Sequence, residues 1–309
     1  MTDDNGHLQA RLPGGGSPVL EAWGVDSEYG TLREVLLGPV ESFHWMADNA
    51  AYSSIVRDTL RKGHRFDKQL AVRQYREMVE AYEDAGVTVH SLAVNELTPY
   101  QVYVRDSSFM TPFGAVICQL ANPRRRGEYA EALRFYLGDR IPVYDMVSAG
   151  HFEGGDFNII APGSVLIGYT GFRCEEVAAR QVGGWMEREG WEVKYAAIDQ
   201  FYVHIDLMVC MLAEKAAAVC LDTAEPEIVD WLRAKGIEIV PVSFQETMVL
   251  GCNVVALGND RVLSSAAAGD LNAKLRALGF EVYDPDMTMF TWAGGGVHCM
   301  VQPLRRDPG

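Results

Sequence analysis

Along this chain, short apolar runs of the kind that form strands alternate with stretches of period near 3.6, the mark of helices. The run Leu32-Arg33-Glu34-Val35-Leu36-Leu37 predicts a buried strand closed by Gly38 and Pro39. Over 68–85, Val72, Tyr75, Val79 and Tyr82 share one helical face that Gly86 stops, and 87–92 is extended again. The same order then recurs. Strands over 108–111 and 115–120 flank Pro-Phe-Gly, a helix follows over 128–137, and 141–144 is extended. Strands over 157–160 and 165–167 flank Ala-Pro-Gly-Ser, and a helix over 175–188 leads to 191–195. Strands over 207–212 and 216–221 flank Ala-Glu-Lys, and a helix opened by Pro226 leads to 237–240. Strands over 254–257 and 261–263 flank Gly-Asn-Asp, and the helical face Leu271, Leu275, Leu278 leads to 280–283.

Each unit reads strand, strand, helix, strand. There are about five, of about 50 residues each, the outermost completed by the two ends of the chain. A repeat of this kind predicts one closed or stacked α/β array over 23–309. It argues against a doubly wound nucleotide fold, because each helix is preceded by a hairpin rather than a single strand. No Gly-rich phosphate loop is present. Residues 1–22 are polar, Gly/Pro-rich and aperiodic, and read as a flexible leader.

Composition narrows the setting. A chain of 309 residues buries a sizeable core. The six cysteines form no CxxC pair and lie mostly in apolar runs, the pattern of reduced thiols without structural zinc. The N-terminus lacks the basic-then-apolar order of a signal peptide, and no apolar run reaches the roughly 18 residues of a membrane span. The expectation is a cytoplasmic protein with no membrane partner. A net charge of −15 argues against nucleic acid and suits a small cationic partner, although acidity also serves solubility alone.

The candidate chemistry lies where the units begin. Asp106 in Val-Arg-Asp, Glu153 and Asp156 in Glu-Gly-Gly-Asp, His204 and Asp206 in His-Ile-Asp, Asn253 in Gly-Cys-Asn and Cys299 after Gly294-Gly295-Gly296-Val297-His298 share the period of the repeat. Units arranged around an axis would bring these positions together. Singly, each has a plainer reading as a turn cap, loop residue or buried thiol. Their common phase favours a site. His298 is expected to point away from Cys299, because neighbours on a strand face opposite sides. Zinc held by His204, Asp206 and Cys299 is conceivable, but no close ligand pair supports it; the expectation is no metal and no cofactor.

Converging carboxylates repel one another unless a cation sits between them, and a planar guanidinium is the natural guest. Its resonance-stabilised carbon resists attack. A thiolate at Cys299 and a proton donor and later base at His204 would supply what that reaction needs.

The ordered motifs Val-Arg-Asp, Glu-Gly-Gly-Asp, His-Ile-Asp and Gly-Gly-Gly-Val-His-Cys resemble the guanidino-group-modifying superfamily of arginine deiminases, dimethylarginine dimethylaminohydrolases and amidinotransferases, from about Trp23 onward. The resemblance implies a pentein-type, five-bladed α/β propeller of ββαβ units in a single catalytic domain, and a metal-free route through a covalent thiouronium. It implies Cys299 as nucleophile, His204 as acid and base, and Glu153 as an aid to proton transfer. Asp106 and Asp206 would hold the guanidinium, with Asp156 behind them and Asn253 at the site. Within Arg124-Arg125-Arg126, Arg125 would meet a substrate carboxylate. The expected activity is hydrolysis of the guanidino C–N bond of arginine or an Nω-methylated arginine to citrulline, releasing ammonia or a methylamine. Tyr29-Gly30-Thr31-Leu32-Arg33-Glu34-Val35 is similar to amidinotransferase starts, which keeps amidino transfer to an amine as the alternative; a non-catalytic binding protein on the same fold is a weaker one. A homo-oligomer is possible.

Overall fold

The computed structural model describes residues 22–309, so the expected leader, 1–22, falls outside the described residues save its last position. The elements run β1 (Leu32–Leu37), α1 (Ser54–Arg61), α2 (Lys68–Asp84), β2 (Thr88–Ser91), β3 (Ser108–Thr111), β4 (Gly114–Ile117), α3 (Tyr129–Gly138), β5 (Val143–Met146), β6 (Phe157–Ala161), β7 (Ser164–Tyr169), α4 (Glu176–Arg188) and β8 (Glu192–Ala197). They continue with β9 (Val209–Ala213), β10 (Ala216–Cys220), α5 (Pro226–Ala234), β11 (Glu238–Val242), α6 (Phe244–Thr247), β12 (Val255–Gly258), β13 (Arg261–Leu263), α7 (Gly269–Ala277), β14 (Glu281–Tyr283), α8 (Thr288–Thr291) and β15 (Val301–Arg306).

Among the described residues, fifteen strands form five three-stranded sheets. In four of them a hairpin pairs the first two strands antiparallel, and the chain crosses over through a helix to add the third strand parallel. The remaining sheet takes β15 from the C-terminal end, antiparallel to β1, with β2 parallel on the other side. The two ends of the described chain thus complete one unit between them, as the repeat predicts.

Local chemistry sets the boundaries. Asp67 accepts a hydrogen bond from the Leu70 amide at 3.0 Å and opens α2, and Gly86 at φ +78° closes it. Pro226 supplies the first turn of α5. The middle strands β4 and β7 are buried at nearly every position, so both faces of their sheets are covered, which explains why they read as continuous apolar runs. No helix among the described residues is long and apolar enough to cross a membrane.

One feature departs from the sequence pattern. The polar residues do not sit in the first positions of the strands but in a tight turn just ahead of them: Val104–Ser107 before β3, Gly154–Asp156 before β6 and Ile205–Leu207 before β9. These turns touch in cyclic order. The Arg105 amide donates to the Cys299 carbonyl at 3.2 Å, and Gly154 lies so close to the Arg105 carbonyl that a side chain would collide with it. The Ile205 amide donates to Asp156 Oδ1 at 2.7 Å, Asn253 Nδ2 to the Asp206 carbonyl at 3.2 Å, and the His298 amide to Asn253 Oδ1 at 3.1 Å. The fifth turn therefore meets the first. Short helices α1, α6 and α8 were not anticipated, being too brief to establish a period; α1 and the 3-10 turn Ala47–Ala51 before it bring Asn49 and Ser53 over the same centre.

Candidate active site

The turns enclose a narrow pocket walled by Tyr103, Asp106, Arg125, Arg173, His204 and Cys299. Cys299 reaches it because the three glycines let the backbone pass where side chains would not fit. Gly294 adopts φ +98°, a Cβ on Gly295 would strike the Tyr103 ring, and one on Gly296 would lie 2.5 Å from Asn253 Oδ1. Asn253 then grips the turn, its Oδ1 accepting from the amides of His298 and Cys299 at 3.1 and 3.3 Å and lying 3.5 Å from Cys299 Sγ.

The thiol is 4% exposed and lies 3.8 Å from Asp206 Oδ2. Burial pushes it well above its ordinary range, with Asp206 and Asp106 adding to the rise, so the uncombined protein holds it protonated. Asp206 is itself held below the usual carboxylate range: burial works against this, but the hydrogen bond from His298 and its charge outweigh it.

His204 occupies the opposite wall. Its Nε2 lies 2.9 Å from Glu153 Oε2 and its Nδ1 lies 3.7 Å from Asp106 Oδ1. Burial and the Arg173 guanidinium press the ring toward neutrality, yet Asp106, the Glu153 hydrogen bond and Asp156 prevail and raise it to about 9. Glu153 stays ionised despite full burial because Arg173 and His204 both hold its charge. Asp156 does not line the pocket; burial pushes it up to about 6 while its Oδ1 accepts the Ile205 amide.

Arg125 lines the pocket as the sequence suggested, but its donors are heavily engaged. It pairs with Asp106 at 2.6 Å, forks onto both oxygens of Glu128 at 2.9 and 2.8 Å, and reaches the Tyr100 and Tyr103 carbonyls. Sequence reasoning missed Arg173, which pairs with Glu153 and lies 3.4 Å from Asp106 Oδ2. The signal was available: Arg173 stands between β7 and α4 as Arg125 stands between β4 and α3, one repeat later.

One expectation is corrected. His298 does not point away from Cys299; both face Asp206, with His298 Nδ1 at 2.8 Å from its Oδ2. Residues 298 and 299 lie in a turn, and β15 begins only at Val301, so strand alternation does not apply. Nor do His204, Asp206 and Cys299 gather as a ligand set, since Asp206 pairs with His298 and His204 with Glu153. The groups whose ligand atoms do converge are Asp106, Glu153, His204 and Asp156, Cys174, His204. Arg173 already supplies a cation to the first of these.

Among the polar atoms of this centre buried without a hydrogen-bond partner in the described residues are Asp106 Oδ1, Asp206 Oδ1 and Arg173 Nε. Buried polar groups are rarely left so; Asp106 and Arg173 line the pocket, and Asp206 lies behind Cys299, its Oδ2 3.8 Å from the thiol.

The fold and this centre together define a member of the guanidino-group-modifying superfamily. The family model described as N,N dimethylarginine dimethylhydrolase, eukaryotic, matches residues 41–306, and the chain belongs to that family. It is 26% identical over 284 residues to the uncharacterized protein YkgA of Bacillus subtilis, covering 91% of this chain and 94% of the relative. It is 27% identical over 235 residues to the N(G),N(G)-dimethylarginine dimethylaminohydrolase of Mycobacterium tuberculosis, covering 75% of each. Among solved structures, a mutant DDAH of Pseudomonas aeruginosa complexed with citrulline superposes with a TM-score of 0.73 at 21% identity, over 88% of this chain and 99% of that one, a likeness of fold.

Proposed function

We propose that this protein is a cysteine-dependent hydrolase of the guanidino C–N bond of arginine or an Nω-methylated arginine, yielding citrulline and ammonia or a methylamine. The observation that carries the reading is the pair of unpartnered carboxylate oxygens, Asp106 Oδ1 and Asp206 Oδ1, beside a buried, protonated thiol. A guanidinium supplies the missing donors to both. Its charge also offsets the carboxylates that hold the Cys299 proton, so that proton leaves to solvent as the substrate binds and the thiolate forms. Attack on the guanidino carbon follows, and His204, an imidazolium at neutral pH, donates to the departing amine. The neutral His204 then takes a proton from the water that cleaves the thiouronium, with Glu153 fixing the ring throughout. Arg125 and the unpartnered Nε of Arg173 form the cationic wall toward which a substrate carboxylate would point.

In this reading the five sheets surround one axis as a five-bladed propeller, a single catalytic domain over 23–309 working in the cytoplasm without metal or cofactor. The decisive experiment incubates the purified protein with arginine, methylated arginines and agmatine separately, assaying ureido product and released amine together. Ureido product from one of them supports hydrolysis and fixes the substrate; ornithine release that depends on an added amine would favour amidino transfer, the reading suggested by the Tyr29–Val35 stretch. No product from any of them, with Cys299 no more reactive than the other thiols, would overturn both.

A further inference from the structure

His298 belongs to a buried chain, Asp206, His298, Glu28 and Arg105, of which the proposed reaction uses Asp206 alone. Its ring is 3% exposed, with Nδ1 2.8 Å from Asp206 Oδ2 and Nε2 3.7 Å from Glu28 Oε2. Asp206 is ionised and can only accept, so Nδ1 carries the hydrogen. Glu28 is anchored in turn: its Oε1 accepts from Arg105 Nη1 at 3.2 Å, and Arg105 Nε donates to the Val301 carbonyl at 3.1 Å. The ring is therefore held from behind, and its donor fixes one oxygen of Asp206.

That oxygen is the one 3.8 Å from the Cys299 thiol, while the other, Oδ1, is unpartnered. We infer that His298 is a positioning residue: by donating to Asp206 Oδ2 it competes with the Cys299 thiol for that oxygen and leaves Oδ1 presented to the guanidinium. Without the donor, Oδ2 accepts from the thiol alone and holds its proton more firmly, and the carboxylate is free to rotate about its own axis. The seat and the nucleophile are then both degraded through one bond. The role in turnover rests on the proposed hydrolysis; the effect on the thiol does not.

The charged and titratable groups facing the thiol are Asp206, Asp106, His204, Arg125, Arg173 and Tyr103. Of these only Asp206 is bonded to the His298 ring. The test compares H298N, whose amide nitrogen replaces Nδ1, with H298Q, whose amide reaches the place of Nε2 and leaves Asp206 without its donor; H298A is the full deletion. The rate of Cys299 alkylation by iodoacetamide is followed from pH 6 to 10 by peptide mass spectrometry, alongside thermal melting and turnover. H298Q and H298A are expected to move the alkylation midpoint upward and slow the reaction roughly tenfold at neutral pH, the loss of one charge-assisted hydrogen bond, while H298N stays near the wild type. Profiles that superimpose for all variants overturn the inference. So does an H298N profile shifted as far as that of H298Q, which would mean that the site tolerates no change of shape. If H298A does not fold, the comparison of the two amides still decides. If the wild type turns over no guanidine, the hydrolase reading falls, and the alkylation profiles still judge the role of His298.

Discussion

Replacing Glu153 by Gln removes one of the carboxylates that, with Asp106, keep His204 charged. In the wild-type protein the histidine rises from an ordinary 6.5 to about 9 against both burial and Arg173, so the carboxylates must supply more than the net change. That net change corresponds to about 3 kcal/mol of preference for the imidazolium. Glu153 is the nearest acceptor, with Oε2 at 2.9 Å, and it also absorbs the charge of Arg173. Glutamine leaves the shape but removes the charge, leaving Asp106 alone to offset Arg173. The imidazolium is then expected to titrate well below 9, and release of amine at pH 8 to fall about tenfold as the acid form is depleted. Linkage gives a second reading. Because the folded value lies above the unfolded one, the stabilisation is fully present below about pH 6.5 and is lost as pH rises through about 9. The wild type should lose up to about 3 kcal/mol across that window by this group alone, and E153Q should not. The assay is NMR titration of the His204 ring together with urea melts at pH 6 and 9.5. A ring that still titrates near 9 in E153Q would refute the electrostatic account of this centre.

Three further expectations concern the same centre. Cys299→Ser should abolish turnover with the melting temperature unchanged, and the wild-type thiol should alkylate faster when a non-reacting guanidinium compound is bound; a fully active serine variant excludes the nucleophile. Gly155→Ala places a Cβ 2.5 Å from His204 Nδ1 and should displace the ring, lowering kcat by about tenfold or more while the fold survives; unchanged kinetics would mean that His204 is not held where the reaction needs it. Arg173→Gln leaves Glu153 and Asp106 short of a buried cation and should destabilise by about 3 kcal/mol, measured by denaturant midpoint, with a loss under 1 kcal/mol contradicting the buried pairing.

The relation of sequence to site can be followed residue by residue. Asp106, Asp156, Asp206, Asn253 and Cys299 were legible because a repeat transmits position: equivalent residues in successive units occupy equivalent turns, and the turns meet. Arg173 was equally accessible in principle, as the counterpart of Arg125, but it lies after the hairpin rather than before it, where no polar pattern drew attention. His298 was misjudged because a strand period was applied to residues that lie in a turn ahead of β15, where alternation does not hold.

The pattern of apolar and polar positions determined the ββαβ order, the helix stop at Gly86, and the completion of one sheet by strands near both ends of the described chain. These depend on neighbours a few residues apart, where burial and turn chemistry act locally. Tertiary structure alone decided which oxygen of each carboxylate is satisfied, that His204 leans on Glu153 while His298 holds Asp206, and that a second arginine enters the pocket. Those are contacts of a few ångströms between turns far apart in the chain, and the charge on each group follows from the groups it meets and the water it has lost.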